Sequence, residues 1–130
     1  MEFVEAKCGQ VICAKLSQGE DLIKSIREIA ETKNISAGAF FAIGTLSQAR
    51  FYFYRPTPSP ITLKEPLEIV ACSGSISQKQ GKMRVHGHIY VTDEAFRSRG
   101  GHLLEGSIVD SMVFVTIFEF EGVSLNAIGI

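Results

Sequence analysis

The chain contains no tryptophan, only three cysteines and three histidines, and no excess of either charge sign. Cys8, Cys13 and Cys72 are odd in number and lack CxxC spacing, which argues against a disulfide framework and favours buried free thiols in a reducing compartment. The 13 basic and 14 acidic residues give a net charge of -1. Domains that act mainly by binding nucleic-acid phosphates are usually basic, so direct DNA binding is not favoured.

Long hydrophobic runs are also lacking. The longest, residues 112–118, is interrupted by Thr116 and is too short to cross a membrane. The first seven residues include two glutamates and no continuous apolar stretch, so they do not resemble a signal peptide. The 130 residues are 45% hydrophobic and 21% charged, which is typical of one globular domain spanning residues 1–130. We therefore expect a cytoplasmic protein.

The helix and turn signals are local. Ser17 and Glu20 match a capping box, which predicts an amphipathic helix over residues 19–33, and Asn34 is a typical C-terminal stop. Gly9 and Gln10 predict a tight turn between the first two strands. Residues 55–60 contain three of the four prolines and predict an extended loop.

Seven or eight strands are predicted from β-branched and aromatic content. The aromatic residues 51–54 favour sheet core or a subunit interface over base stacking, because few basic residues accompany them. Both faces of the strand at 108–120 are apolar, so we expect it to be covered on both sides. The fold class is α+β with a mainly antiparallel, barrel-like sheet. The strands are predicted at 3–8, 10–16, 37–46, 48–55, 67–76, 83–91, 108–120 and 123–127.

All three histidines lie within residues 86–102. His86 and His88 are alternate residues of a predicted strand, so they point to the same side. His102 follows Gly100 and Gly101, where a backbone turn or a close approach is expected. Three converging imidazoles suit a divalent transition metal, above all zinc, and leave a fourth coordination position. The alternative is that the histidines are ordinary polar residues at a subunit interface.

Three further side chains are candidates for this site. Glu105 follows His102 by three residues and can act as an acid–base group, or it can simply cap a helix or form a salt bridge. Arg84 shares the predicted face of His86 and can bind a small anionic ligand, or it is an ordinary exposed strand residue. Cys72 on a neighbouring strand is a candidate extra metal ligand.

Three segments occur in an order that resembles a known family: Leu-Glu-Ile-Val-Ala-Cys-Ser-Gly-Ser-Ile-Ser at 67–77, His86-Gly87-His88, and Gly-Gly-His-Leu-Leu-Glu-Gly at 100–106. The resemblance is to the plant and prokaryote conserved (PPC) domain, in its stand-alone prokaryotic form, and covers nearly the whole chain. It implies an α/β fold with an antiparallel sheet, a homotrimer, and a metal-ligand set that falls on His86, His88 and His102. Prokaryotic members are often labelled DNA-binding.

The chain departs from the family pattern at two places. Gly87 stands between the paired histidines, where the family often has a larger residue. The loop at 92–99 carries Phe96, Arg97 and Arg99, where members commonly have a glycine-containing turn. Residues 97–100 also lack the Arg-Gly-Arg-Pro core of an AT-hook.

Three functions follow as hypotheses. The first is a PPC-domain regulatory or protein-interaction module, labelled DNA-binding by family and carrying a three-histidine metal site. The fold is also similar to that of acetolactate decarboxylase, a zinc enzyme with three histidine ligands, which implies a zinc-dependent lyase acting on a small carboxylate or keto acid as the alternative. The third is a binding module whose metal is structural and closed by an adjacent subunit. Whether the chain is an enzyme stays open.

Overall fold

A seven-stranded sheet and one α-helix make up the computed structural model, which describes residues 1–54 and 59–130. Most of the loop predicted at 55–60 therefore lies outside the described residues. The α+β class and the mainly antiparallel sheet are confirmed. No helix among the described residues is long and apolar enough to cross a membrane. The elements are β1 (Lys7–Ser17), α1 (Leu22–Thr32), β2 (Gly38–Tyr52), β3 (Ile61–Leu63), β4 (Leu67–Lys79), β5 (Lys82–Thr92), β6 (Ser98–Leu103), β7 (Ile108–Glu121) and a 3-10 helix at Leu125–Ile128.

Part of the sheet closes into a ring. The strand order is β1-β7-β2-β4-β5-β6, and β2 also pairs with β6, so that β2, β4, β5 and β6 form a closed circuit. β1 and β7 extend the sheet from β2, and β3 adds to the other end of β2. The predicted barrel-like sheet is thus a partial ring with an open extension.

The helix begins later than the capping box predicts. The Ser17 N–H donates to the Glu20 carboxylate, but the Gly19 N–H donates to the Val109 carbonyl of β7, which holds this segment outside the helix. Asp21 is the N-cap instead, and its carboxylate accepts a hydrogen bond from the Lys24 N–H at 3.1 Å. The predicted stop is confirmed, because Asn34 adopts φ = 55°, just beyond the helix.

Three strand predictions are wrong. No turn forms at Gly9: β1 is one strand with a bulge between Cys8 and Val11, because the chain pairs with β7 on both sides of that point. The two strands predicted at 37–46 and 48–55 are one strand, β2. Its pairing with β7 is irregular over residues 44–48, where Gly44 adopts φ = 146°. The strand predicted at 123–127 is a 3-10 helix, since local hydrogen bonds replace sheet pairing after Gly122 turns the chain at φ = 75°.

The turn between β5 and β6 is organised by one carboxylate. Asp93 accepts hydrogen bonds from the N–H groups of Ala95 and Arg97 and pairs with the Arg97 side chain. These interactions lower the pKa of Asp93, and the hydrogen bond from the Arg97 N–H contributes most. They also hold Phe96 at φ = 60° with its side chain exposed. The Asp93 carboxylate thus bonds to the backbone two residues on, and this Asx-type turn lets the chain reverse here without a glycine.

The core lies between α1 and the inner face of the sheet. Val113, Val115 and Ile117 of β7 are fully buried there. On the opposite face, Phe114 is 38% exposed and its cross-strand neighbour Ile43 is 59% exposed. The expectation that β7 is covered on both sides is therefore wrong for the single chain. We call Val11, Phe41, Ile43 and Phe114 the outer apolar face.

Candidate metal centre

The alternation of β5 sends its histidines to the solvent side of the sheet. Arg84, His86 and His88 are exposed, whereas the residues between them, Val85 and Gly87, are half-buried and buried. The structure therefore places His86 and His88 on one face, together with Arg84, as the strand period requires.

His102 reaches this face from the neighbouring strand. It lies directly opposite His88 in the β5–β6 pairing. The ring of His102 stacks on that of His86, with centroids 4.4 Å apart, and its centroid is 5.7 Å from that of His88. One ligand atom from each of the three imidazoles lies within 4.8 Å of the other two. The sequence-predicted cluster is thus assembled in the folded chain.

The glycine pair before His102 does not form a turn, which corrects that part of the prediction. Gly100 and Gly101 lie within β6, which pairs with β5 on one side and with β2 on the other. A Cβ atom on Gly101 would lie 2.5 Å from the Tyr52 carbonyl oxygen of β2, and one on Gly100 would lie 2.9 Å from the Tyr90 Cα of β5. The missing side chains allow both neighbours to approach closely, and this approach brings His102 beside the other histidines.

Tyr52 is a site residue that sequence reasoning assigned to core or interface. It lies opposite His102 in the β2–β6 pairing, and the two rings stack with centroids 4.6 Å apart at an interplanar angle of 30°. No local spacing links residues 52 and 102, so only the closure of the ring reveals the contact. The stack restrains the orientation of the His102 imidazole.

The surroundings of His86 and His102 favour their neutral forms. Partial burial, followed by the charges of His88 and Arg84, lowers the pKa of His86. Partial burial, followed by the charges of the other two histidines, lowers the pKa of His102. A neutral imidazole is the form that binds a metal, so both of these shifts favour metal binding.

Gly87, between the paired histidines, makes room for the core. It lies opposite Gly74 of β4, and the Phe40 ring packs under both glycines. A Cβ atom on Gly87 would lie 2.7 Å from Phe40 Cζ. The glycine therefore accommodates a fully buried aromatic ring beneath the histidines.

Glu105 is engaged away from the histidines. Its carboxylate forms an ion pair with Arg27 of α1, with Oε1 and Nη1 2.8 Å apart. The next residue, Gly106, donates its N–H to the Asp21 carboxylate at 2.7 Å. These contacts tie the loop after β6 to the start of the helix, which agrees with the salt-bridge alternative for Glu105. Asp21 and Arg27 carry no sequence signal for this role.

Cys72 does not belong to the cluster. It pairs with Ile89 in the β4–β5 ladder, on the inner face, and is only 4% exposed. Burial raises the pKa of its thiol to about 12. The prediction that Cys72 is an extra metal ligand is wrong, because a residue on the inner face points away from His86 and His88.

The donor set fits zinc. With Zn–N bonds of about 2.1 Å, tetrahedral ligands lie about 3.4 Å apart, so modest rotations of three exposed or half-exposed rings suffice to close the site. His86, His88 and His102 would hold the ion through three nitrogens, and a fourth ligand such as water would complete its coordination.

Comparisons with known proteins agree with this architecture. The model of the Plants and Prokaryotes Conserved (PCC) domain matches residues 3–121. A metal-containing protein of Archaeoglobus fulgidus is 29% identical, with a TM-score of 0.87 over 95% of this chain and 89% of its own. A Ralstonia eutropha protein provisionally named DNA-binding is 29% identical, with a TM-score of 0.77 over 85% of this chain and 77% of its own.

A PPC protein of Pyrococcus horikoshii shares the fold at 24% identity, with a TM-score of 0.87 over 95% of this chain and 87% of its own. Among curated proteins, the bifunctional protein GlmU of a Synechococcus species is 35% identical over 96 residues. That alignment covers 73% of this chain but only 15% of the relative. The chain therefore spans a small part of that protein's length.

Proposed function

The chain belongs to the Plants and Prokaryotes Conserved (PCC, or PPC) domain family, and from this premise we propose that it is a metal-binding module in which His86, His88 and His102 hold one zinc ion. The observation that carries the proposal is the convergence of three imidazole ligand atoms within 4.8 Å. The name of the Archaeoglobus fulgidus neighbour, a metal-containing protein, supports it.

The chain's own residues set the properties of this centre. Tyr52 restrains His102 by stacking, and the pairing of β5 with β6 holds His88 opposite His102. When bound, a zinc ion with three histidine ligands supplies a Lewis-acidic position that is open to water or to an anion. Arg84 on the same face adds a positive charge beside that position.

The test is the metal content of protein purified without a histidine tag, measured by elemental mass spectrometry. We expect near-stoichiometric zinc in the parent and its loss in His88→Ala. Lys82→Ala is the matched control, because Lys82 lies on the same strand and face but farther from the histidines. Absence of metal from the parent, even after zinc is offered at neutral pH, contradicts the proposal.

A homotrimer is the assembly that we propose. Its support within the structure is the outer apolar face, on which Phe41 and Ile43 are 56% and 59% exposed. Exposed apolar clusters of this kind are typical of protein interfaces. Light scattering after gel filtration should give the mass of three chains, and Ile43→Asp should lower it. A monomeric parent at micromolar concentration contradicts this proposal.

A second candidate is gene regulation, which the provisional name of the Ralstonia eutropha neighbour favours. The net charge of -1 argues against direct contact with DNA phosphates, so we infer action through protein partners. Fluorescence anisotropy with random duplex DNA at physiological salt should show weak or no binding. Salt-sensitive binding with a dissociation constant below micromolar would overturn this inference.

The free thiols of all three cysteines support a cytoplasmic location.

A further inference from the structure

We propose that the open position of the metal centre takes a small carboxylate, with one oxygen on the metal and the other paired with Arg84. The inference rests on the proposed metal site and names its ligand. It is carried by three features of the outer sheet surface: the position of Arg84, the small residues beside the histidines, and the local balance of charge.

Arg84 stands at a suitable distance. It precedes His86 by two residues on the same exposed face, which places their Cα atoms about 6.7 Å apart along the strand. A guanidinium can hydrogen-bond one oxygen of a carboxylate at about 2.9 Å while the other oxygen binds a metal at about 2 Å. The long side chain of Arg84 can bend over His86 to reach such an anion.

The residues that flank the histidines on the neighbouring strands are small. Ser75 lies directly opposite His86, and Ser73 lies directly opposite His88, both on β4. On the other side of β5, Gly100 is the next outward-facing residue of β6 before His102. Because these side chains are short, they occupy little of the sheet surface beside the histidines.

The charges around the site favour an anion. Three neutral imidazoles do not cancel the two positive charges of a zinc ion, and Arg84 adds a third. Glu105 does not offset this charge, because its carboxylate points away from the histidines and is paired with Arg27. The planar fork of a guanidinium matches the planar carboxylate, which favours this anion over a spherical one such as chloride.

The experiment uses protein loaded with Co²⁺, whose visible absorption reports the coordination of the metal. Acetate is titrated into the parent, Arg84→Ala, Arg84→Lys and the control Lys82→Ala, and circular dichroism checks that each variant is folded. We expect a saturable change in the parent, about tenfold weaker acetate binding in Arg84→Ala and an intermediate loss in Arg84→Lys. Lys82→Ala should bind acetate within about twofold of the parent, since its charge lies one outward position farther away.

Three outcomes overturn the inference. They are no spectral response to acetate in the Co²⁺-loaded parent, equal acetate affinity in the parent and Arg84→Ala, or equal losses in Arg84→Ala and Lys82→Ala. A parallel titration with inorganic phosphate separates the anion classes, and equal dependence of phosphate on Arg84 refutes selectivity for carboxylates. Failure to bind Co²⁺ is a distinct result, because it refutes the metal site itself.

Discussion

Substitution of Gly101 by alanine should damage the fold and the metal centre together. Gly101 lies in β6 immediately before His102 and faces the backbone of β2. The new Cβ atom would lie 2.5 Å from the Tyr52 carbonyl oxygen and 3.1 Å from the Tyr52 carbonyl carbon, whereas separations below 3.0 Å are essentially never observed. Both neighbours are backbone atoms, so relief requires β6 to move away from β2.

The magnitude follows from this movement. Overpacking against a rigid neighbour typically costs 1–3 kcal/mol, and the backbone contact places Gly101→Ala near the upper end, so we expect a loss of about 3 kcal/mol in the free energy of unfolding. The movement also weakens the stack of Tyr52 on His102, now 4.6 Å between centroids. Loss of such support for a ligand typically reduces metal affinity by about tenfold or more.

The assay is urea unfolding of the metal-free protein, followed by zinc competition with a chromophoric chelator. Gly81→Ala is the matched control: Gly81 has φ = 73°, but a Cβ atom there meets nothing within 4 Å. It should cost about 1 kcal/mol through backbone strain and leave zinc affinity unchanged. If Gly101→Ala is as stable as Gly81→Ala and binds zinc as the parent does, the close approach of β6 and β2 does not assemble this site.

Three further predictions test other parts of the structure. Iodoacetamide at pH 8 should alkylate the exposed Cys8 but not the buried Cys72, whose pKa is raised to about 12, and mass mapping that finds Cys72 modified in folded protein refutes its burial. Glu105→Gln breaks a half-exposed ion pair, so it should change stability by less than about 1 kcal/mol and leave zinc affinity unaltered, and loss of zinc in the variant contradicts this structural role. The lowered pKa values of His86 and His102 mean that, as the pH falls, the unfolded chain binds protons at these histidines before the folded chain does. The metal-free protein should therefore lose stability as the pH falls from about 6.5 to the lower folded-state pKa values. Urea midpoints that do not change between pH 7.5 and 5.5 argue against those shifts.

Sequence reasoning worked where one element contains its own signal. The alternation of β5 predicts that His86 and His88 share a face, and the structure agrees. Asn34 as a helix stop and the long strand at the C-terminal side of the chain are likewise local properties, visible in residue type and period.

Sequence reasoning failed where a distant strand decides the local conformation. Two consecutive glycines are typical of a turn, but the pairing of this segment with β5 and β2 makes Gly100 and Gly101 part of β6. The helix start moves because β7 takes the Gly19 N–H. The stack of Tyr52 on His102 and the pairing of Arg27 with Glu105 join residues far apart in sequence, so no short pattern contains them.

The closure of the ring by β2 and β6 also has a consequence for the time course of folding. β2 ends at Tyr52 and, within residues 1–54 and 59–130, pairs with β6 at Leu103 and His102 alone, so this pairing requires β4 and β5 to be in place between them. Such long-range pairings form late, so the stack of Tyr52 on His102 is expected to be one of the last contacts to form. A change that weakens this contact, such as Gly101→Ala, should therefore speed unfolding while scarcely changing the refolding rate. The closure of the ring thus governs the lifetime of the native state more than the time that the chain needs to reach it.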